Sequence, residues 1–239
     1  MKHYCVVYCG GDAGHFIIYL INQHRNFTQL KSRIDGDNKW IYVTGSTWNI
    51  IETPVCDDSV DCEKNSNITD EPILTEEEFI KYQRNRATNP NFTKVAWRVP
   101  NHNTFQIINN YEKIRNANLD LTFVFVNISD YRLIANRFYD LIEMGKFGKV
   151  SDGDNNKAEV IKFVKNKRAV NNNEADIIRK MAELDGIHCF DVDSTNIIKG
   201  NMDEYLDLCK NINEEPNTKL FKRIQKDYVR NIWLPYLTK

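Results

Sequence analysis

The residues best suited to chemistry stand near the start of the chain. Cys9-Gly10-Gly11-Asp12-Ala13-Gly14-His15-Phe16 sets three glycines between an apolar run and a helical pattern. Glycines in that position let a backbone approach a ligand closely, and the free N–H groups of a first helical turn favour an anion such as phosphate. A tight turn that only joins strand to helix is the alternative. The loop lacks the Lys and the hydroxyl of Gly-x-x-x-x-Gly-Lys-Ser/Thr, which disfavours ATP or GTP hydrolysis with magnesium. It is not a complete dinucleotide fingerprint either, because Cys9 stands where Gly-x-Gly-x-x-Gly needs its first Gly.

Two histidines have useful places. His102 follows the β-prone run Lys94–Val99, where an imidazole of near-neutral pKa could take a proton; a loop histidine without a role is the alternative. His15 lies in the glycine loop and could meet a phosphate or sulfate oxygen, or face solvent. His3, His24 and His188 read as structural or surface residues. Asp191 and Asp193 share one face of a strand, as a paired-carboxylate or metal site would require, but solvated strand-end acids are the simpler reading. The acids of Asp57-Asp58-Ser59-Val60-Asp61-Cys62-Glu63 are dense enough for calcium, yet the loop glycine and terminal Glu of an EF-hand are missing. Lys162, Lys165, Lys167 and Arg168 form a local basic cluster of the kind solvated helix faces carry. No Gly-x-Ser-x-Gly elbow and no Cys-x-x-Cys or His-x-x-His pair occurs, so neither a hydrolase of that kind nor a metal site is expected.

The elements that must position these residues follow from periodicity. Residues 3–9 and 121–128 read as buried strands, 94–99 as a further strand and 187–192 as a short one; a strand also falls near Trp40–Val43. Helical spacing falls on 15–24, 104–115, 131–143, 157–167, 172–185, 202–210 and 219–237. Thr75 with Glu78 resembles a capping box opening a helix to about Arg86. Residues 52–72 are polar and unpatterned, a loop or insertion. Buried strands alternating with helices predict an α/β fold with three layers and a mostly parallel central sheet. Ligands of such sheets sit at the carboxyl ends of the strands.

Composition excludes other classes. The 239 residues carry 32 basic and 33 acidic side chains, so no one-signed field points to nucleic acid. Aromatic residues at 11% need a packed interior, and one domain over 1–239 accounts for the length. No apolar run reaches the ~18 residues of a membrane helix. The first residues read as a strand and not as a signal segment, which gives a cytoplasmic expectation. Six cysteines are too few for a disulfide scaffold; Cys5, Cys9, Cys189 and Cys209 read as core, and Cys56 and Cys62 could pair in an oxidising compartment. Asn is so frequent that single asparagines carry little functional weight.

Strand, glycine loop and apolar helix together resemble the phosphosulfate loop of P-loop sulfotransferases, usually Pro-Lys-Ser-Gly-Thr-Thr. Ala13-Gly14-His15-Phe16 occupies the Ser-Gly-Thr-Thr part approximately, with Gly14 in common, and Asp12 replaces the Lys. Phe123–Asp130 running into Tyr131–Tyr139 is similar to the family's 3′-phosphate passage, with Asn127 in place of the Arg and Ser129, Arg132, Asn136 and Arg137 as the nearest substitutes. Either arginine alone is equally well read as an exposed basic helix face. Cys189–Asp193, the leader Asn196–Gly200 and the final helix are also similar to family segments. The resemblance, to a remote member of viral or marine-microbial type, implies a P-loop nucleotide-binding fold. It implies sulfuryl transfer from 3′-phosphoadenosine 5′-phosphosulfate (PAPS), without metal, to a hydroxyl or amine of a small-molecule or glycan acceptor. Gly10, Gly11, Asp12, Ala13, Gly14, His15 and Phe16 would hold the 5′ side, Ser129, Arg132 and Arg137 the 3′-phosphate, and His102 would be the base. A small-molecule kinase or other nucleotide-dependent transferase, and a binding module without turnover, are the competing readings.

Overall fold

The computed structural model describes residues 1–8, 13–29, 33–34, 40–41, 75–98, 107–108, 111–143 and 157–229. The expected strand end at Cys9, the glycines Gly10 and Gly11, Asp12, the 52–72 loop with Cys56 and Cys62, and His102 lie outside them.

Four strands form a parallel sheet: β1 (Lys2–Val7), β4 (Lys94–Trp97), β5 (Asp120–Asn127) and β6 (His188–Asp193), in the order β4-β1-β5-β6. A separate antiparallel pair joins β2 (Arg33–Ile34) to β3 (Trp40–Ile41). The helices are α1 (Gly14–Asn22), α2 (Glu76–Arg86), α3 (Tyr111–Asn116), α4 (Tyr131–Glu143), α5 (Lys157–Leu184), α6 (Ser194–Ile198), α7 (Met202–Asn211) and α8 (Thr218–Tyr228).

Side-chain alternation divides the interior into two cores. Tyr4, Val6 and Tyr8 of the β1 segment, with Val124 and Val126 of β5, face the core built from α1, α4, α7 and α8. Cys5 and Val7, with Phe123 and Phe125, face the core of α2 and α3. A strand buried on both faces is apolar at nearly every position, which is why β1 and β5 read as near-continuous runs broken only by the buried His3 and Thr122. The first core is closed by flat stacks: Phe16 on Tyr228 at 3.8 Å and 1°, and Tyr205 on Phe221 at 4.2 Å and 3°.

The two helices expected at 157–167 and 172–185 are one. α5 runs unbroken through Asn171-Asn172-Asn173. Asparagine is a weak helix former, at about 0.7 kcal/mol per residue, but it does not break the ladder as Pro would. Val160 and Val164 are buried in the first core, Ile178 and Ala182 in the second, and this packing at both ends holds the middle helical. The final helix, expected over 219–237, is described over Thr218–Tyr228. Thr75 does make the expected capping box, its hydroxyl accepting from the Glu78 N–H and the Glu78 carboxylate from the Thr75 N–H.

β4 lies at an edge of the sheet, and Asn22 covers part of that edge. Its Nδ2 donates to the Ala96 carbonyl at 2.8 Å, and its Oδ1 accepts from the Ala96 N–H at 3.1 Å. One buried amide thus substitutes for a further strand at that residue. Near the amino end of β4, Lys94 Nζ donates to the carbonyls of Ile212 and Asn213, at 2.9 and 2.7 Å, and to Glu214 Oε1 at 2.7 Å. Both side chains of this ion pair are largely buried, at 13% and 3% exposure. Stripping one partner from a buried pair leaves an uncompensated charge and costs about 3–5 kcal/mol, whereas an exposed pair is worth about 1 kcal/mol or less. Lys94→Ala is therefore expected to lower the urea-derived unfolding free energy by about 3 kcal/mol. Lys199→Ala, which breaks the exposed 3.3 Å pair with Asp130, should leave it within about 1 kcal/mol. Equal losses would refute this ordering.

Candidate carboxyl-end site

The parallel register decides which residues meet. β1 pairs with β4 through Cys5↔Trp97 and with β5 through Val7↔Phe125, all in one direction. The carboxyl ends of the three strands therefore lie side by side. Sequence order β1-β4-β5-β6 against spatial order β4-β1-β5-β6 makes the β1/β5 boundary a topological switch point, where open α/β sheets bind ligands. Among the described residues, Tyr8 and Ala13 follow β1, Arg98 follows β4, and Ile128 and Ser129 follow β5 at this carboxyl edge.

At the β1 end, Ala13 takes a left-handed conformation (φ 59°, ψ 20°) and caps α1, its carbonyl accepting from the N–H groups of Phe16 and Ile17 at 2.8 and 3.1 Å. Gly14 is the first residue of α1, and a Cβ there would collide with the ring of Tyr8. The glycine is thus needed for close approach of an aromatic side chain. The His15 ring meets Tyr8 edge-on, with centroids 5.5 Å apart. Burial, and secondarily the charge of Arg98, holds the imidazole neutral with its pKa lowered to about 3. Burial pushes the Tyr8 phenol up, and the Arg98 charge opposes this. Phe16 is fully buried against Tyr228 and serves packing. Arg98, half-exposed just after β4, was not among the expected site residues, yet its charge acts on both Tyr8 and His15. The only sequence signal for it was a charged residue closing an apolar strand.

At the β5 end the backbone is already tied. The Ser129 N–H donates to Asp193 Oδ1 at 3.4 Å and the Asp130 N–H to Thr195 Oγ1 at 3.3 Å. Asn127, the last residue of β5, donates to Asp191 Oδ1 at 2.7 Å, an oxygen that also accepts from Arg179 at 2.8 Å. Asp193 further caps α6 by accepting from the Thr195 N–H at 2.9 Å. The two acids considered for a metal thus hold β5, β6 and α6 together. Among the described residues no group of three His, Cys, Asp or Glu could hold a metal ion, and no helix is long and apolar enough to cross a membrane.

Charge enters the β5 end through side chains. Lys165 of α5, and after it the neighbouring Arg132, holds the phenol of Tyr131, the first residue of α4, below its usual pKa. The Lys165 Nζ stands 4.8 Å from the ring centroid. Arg132 and Lys165 are exposed. Asn136 is half-buried on α4; Arg137 lies on the same helix, two turns in. A surface cavity of about 600 Å³ lies elsewhere, between Met1 and the α2 residues Glu76, Ile80, Lys81 and Arg84, at the amino end of β1. Its charges are of both signs and do not converge, which makes it the weaker candidate.

Two predictions follow from the Tyr8–Gly14–His15 packing. Gly14→Ala should destabilise by about 1–3 kcal/mol through overpacking, and much less in a Tyr8→Val background; additive losses in that cycle would contradict the contact. His15 and also His3 and His24 have pKa values lowered first of all by burial. A folded-state pKa below the unfolded value means that the unfolded chain binds more protons, so stability is lost as pH falls below about 6.5. His15, with its pKa near 3, adds a slope approaching about 1.4 kcal/mol per pH unit, and His3 and His24 add slopes of the same sign. Urea titrations from pH 7.5 to 5 should show this decline, and His15→Gln should make it shallower; a flat profile would refute the burial of these rings.

No protein-family model matches this chain, and no curated protein matches it, so the site's own geometry carries the functional reading.

Proposed function

We propose that the chain is a P-loop-type protein that binds a phosphate-bearing nucleotide at the carboxyl ends of β1, β4 and β5 and transfers a sulfuryl group from PAPS to a hydroxyl or amine. The observation that supports this most is the convergence of three strand ends at a switch point. Cationic side chains stand there on both sides of β1: Arg98 directly after β4, and Arg132 after β5 with Lys165 on α5. In the transfer, the bond between sulfur and the phosphate-bridging oxygen breaks, a sulfur–oxygen or sulfur–nitrogen bond to the acceptor forms, and the acceptor proton passes to a base. The protein's work in such a reaction is positioning and charge stabilisation. His102 is the proposed base; His15, kept neutral, could donate or accept a hydrogen bond at the donor. Arg98 takes over part of the charge that Asp12 does not supply.

A second reading, a nucleotide-binding module without turnover, is favoured by one observation: the Tyr8 ring occupies the space that Gly14 leaves. Titration calorimetry with adenosine 3′,5′-bisphosphate, followed by sulfur-35 transfer from PAPS to a panel of hydroxyl and amine acceptors, separates the two. Transferase action predicts binding together with turnover that His102→Ala slows by about 10²–10⁴. Binding without turnover supports the module. Failure to bind the bisphosphate, with binding of ATP and magnesium instead, would overturn both in favour of a kinase-like transferase.

A further inference from the structure

We propose that α5 pairs with α5 of a second copy of this chain, antiparallel, across a two-fold axis at Ile177. The pairing needs no part of the nucleotide reading. Five large apolar side chains stand exposed among the described residues, and three of them lie on this one helix: Val170 at 57%, Ile177 at 45% and Leu184 at 88%. They recur at every seventh residue. Seven residues are nearly two whole turns, so the three form one stripe that drifts by about 20° per step, the drift a left-handed pairing of helices takes up. The buried residues of the helix, Val160, Val164, Ile178 and Ala182, lie about 100–140° around from Ile177. The stripe therefore points away from both cores. From Lys165 to Asn173, moreover, every described side chain is exposed, and asparagine is a weak helix former. A second helix laid along α5 would support this stretch and cover the apolar stripe.

Charges beside the stripe select the occupant. About a two-fold axis at Ile177, positions equally far from it on either side come level, so Val170 meets Leu184 of the second copy. Lys180 of the second copy comes level with position 174, on the side of the stripe that carries Asn173 and Asp176. Asn173, Asp176 and Lys180 are all exposed. The ammonium thus meets an amide and a carboxylate, and the symmetry makes that contact twice. A parallel pair would instead set Lys180 level with Lys180 of the second copy and Glu174 level with Glu174, like against like. An apolar stripe with a rim complementary to itself when reversed fits a second copy run in the opposite direction. Three side chains from each copy make a small interface, which suits a weak, concentration-dependent dimer.

Sedimentation velocity of the full chain tests this, with protein from about 5 to 500 μM. The wild type should pass from monomer to dimer across that range. Ile177→Glu places a carboxylate against its own copy at the axis and should weaken dimerisation about a hundredfold or more. Lys180→Asp should weaken it several-fold, and adding Asp176→Lys should restore most of the loss. These positions are exposed, and circular dichroism checks that the variants fold. Oxidative cross-linking reads the direction. Ile177→Cys should form a disulfide with its own copy, mapped by peptide mass spectrometry. Leu184→Cys should not, because 14 residues of helix hold its two copies about 21 Å apart. A wild type that stays monomeric throughout would overturn the pairing. So would a dimer that Ile177→Glu leaves unchanged, or a cross-link at Leu184→Cys in preference to Ile177→Cys.

Discussion

The position of β1 between two parallel neighbours is the constraint on which the structure depends. Its backbone pairs on both edges, with β4 and with β5, and its side chains enter both cores. A slip of one residue would exchange Tyr4, Val6 and Tyr8 for Cys5 and Val7, sending three aromatic or branched side chains to the wrong face. Register is thus fixed by packing. That same register aligns the strand ends and brings Arg98, His15 and Tyr131 to one edge of the sheet.

Charge is distributed along the sheet in a way that follows from this. Near the amino end of β4, Lys94 is satisfied by two carbonyls and Glu214, and the Tyr4 hydroxyl donates to the Ile212 carbonyl at 3.1 Å. That region is a closed structural knot. At the carboxyl end the acids serve the scaffold: Asp191 holds Asn127 and Arg179, and Asp193 holds the Ser129 and Thr195 amides. Lys165, by contrast, lies over the Tyr131 ring, 4.8 Å from its centroid.

Much of the scaffold was legible because its signals were local. The unbroken β-prone runs of β1 and β5, the Thr75–Glu78 box and the amphipathic α4 depend on near neighbours in sequence. What was not legible depends on contacts far apart in the chain. Asn22 looked like one of many asparagines, yet it pairs with Ala96, 74 residues away. The triple Asn in α5 reads as a break until its packed ends are seen. Gly14 fits a phosphate loop by sequence, and only the ring of Tyr8 reveals a packing demand for the missing Cβ. Ser129 reads as a phosphate contact by sequence, yet its amide is bonded to Asp193, the residue that caps α6, 64 residues away.

Burial also decides which groups can contribute charge at the carboxyl end. His15 stands in the glycine segment, where a cationic imidazole would have been a natural partner for phosphate. Its desolvation and the nearby Arg98 keep it neutral, so among the described residues the positive charge acting on it is that of Arg98. Beside β5 the Ser129 and Asp130 amides are bonded to Asp193 and Thr195, and Arg132 and Lys165 are exposed cations on α4 and α5. Arg98 follows β4 and Arg132 follows β5, so β1 lies between the strands that carry these two cations. With about 4.8 Å per neighbour, the ends of those two strands are held roughly 10 Å apart by the sheet itself.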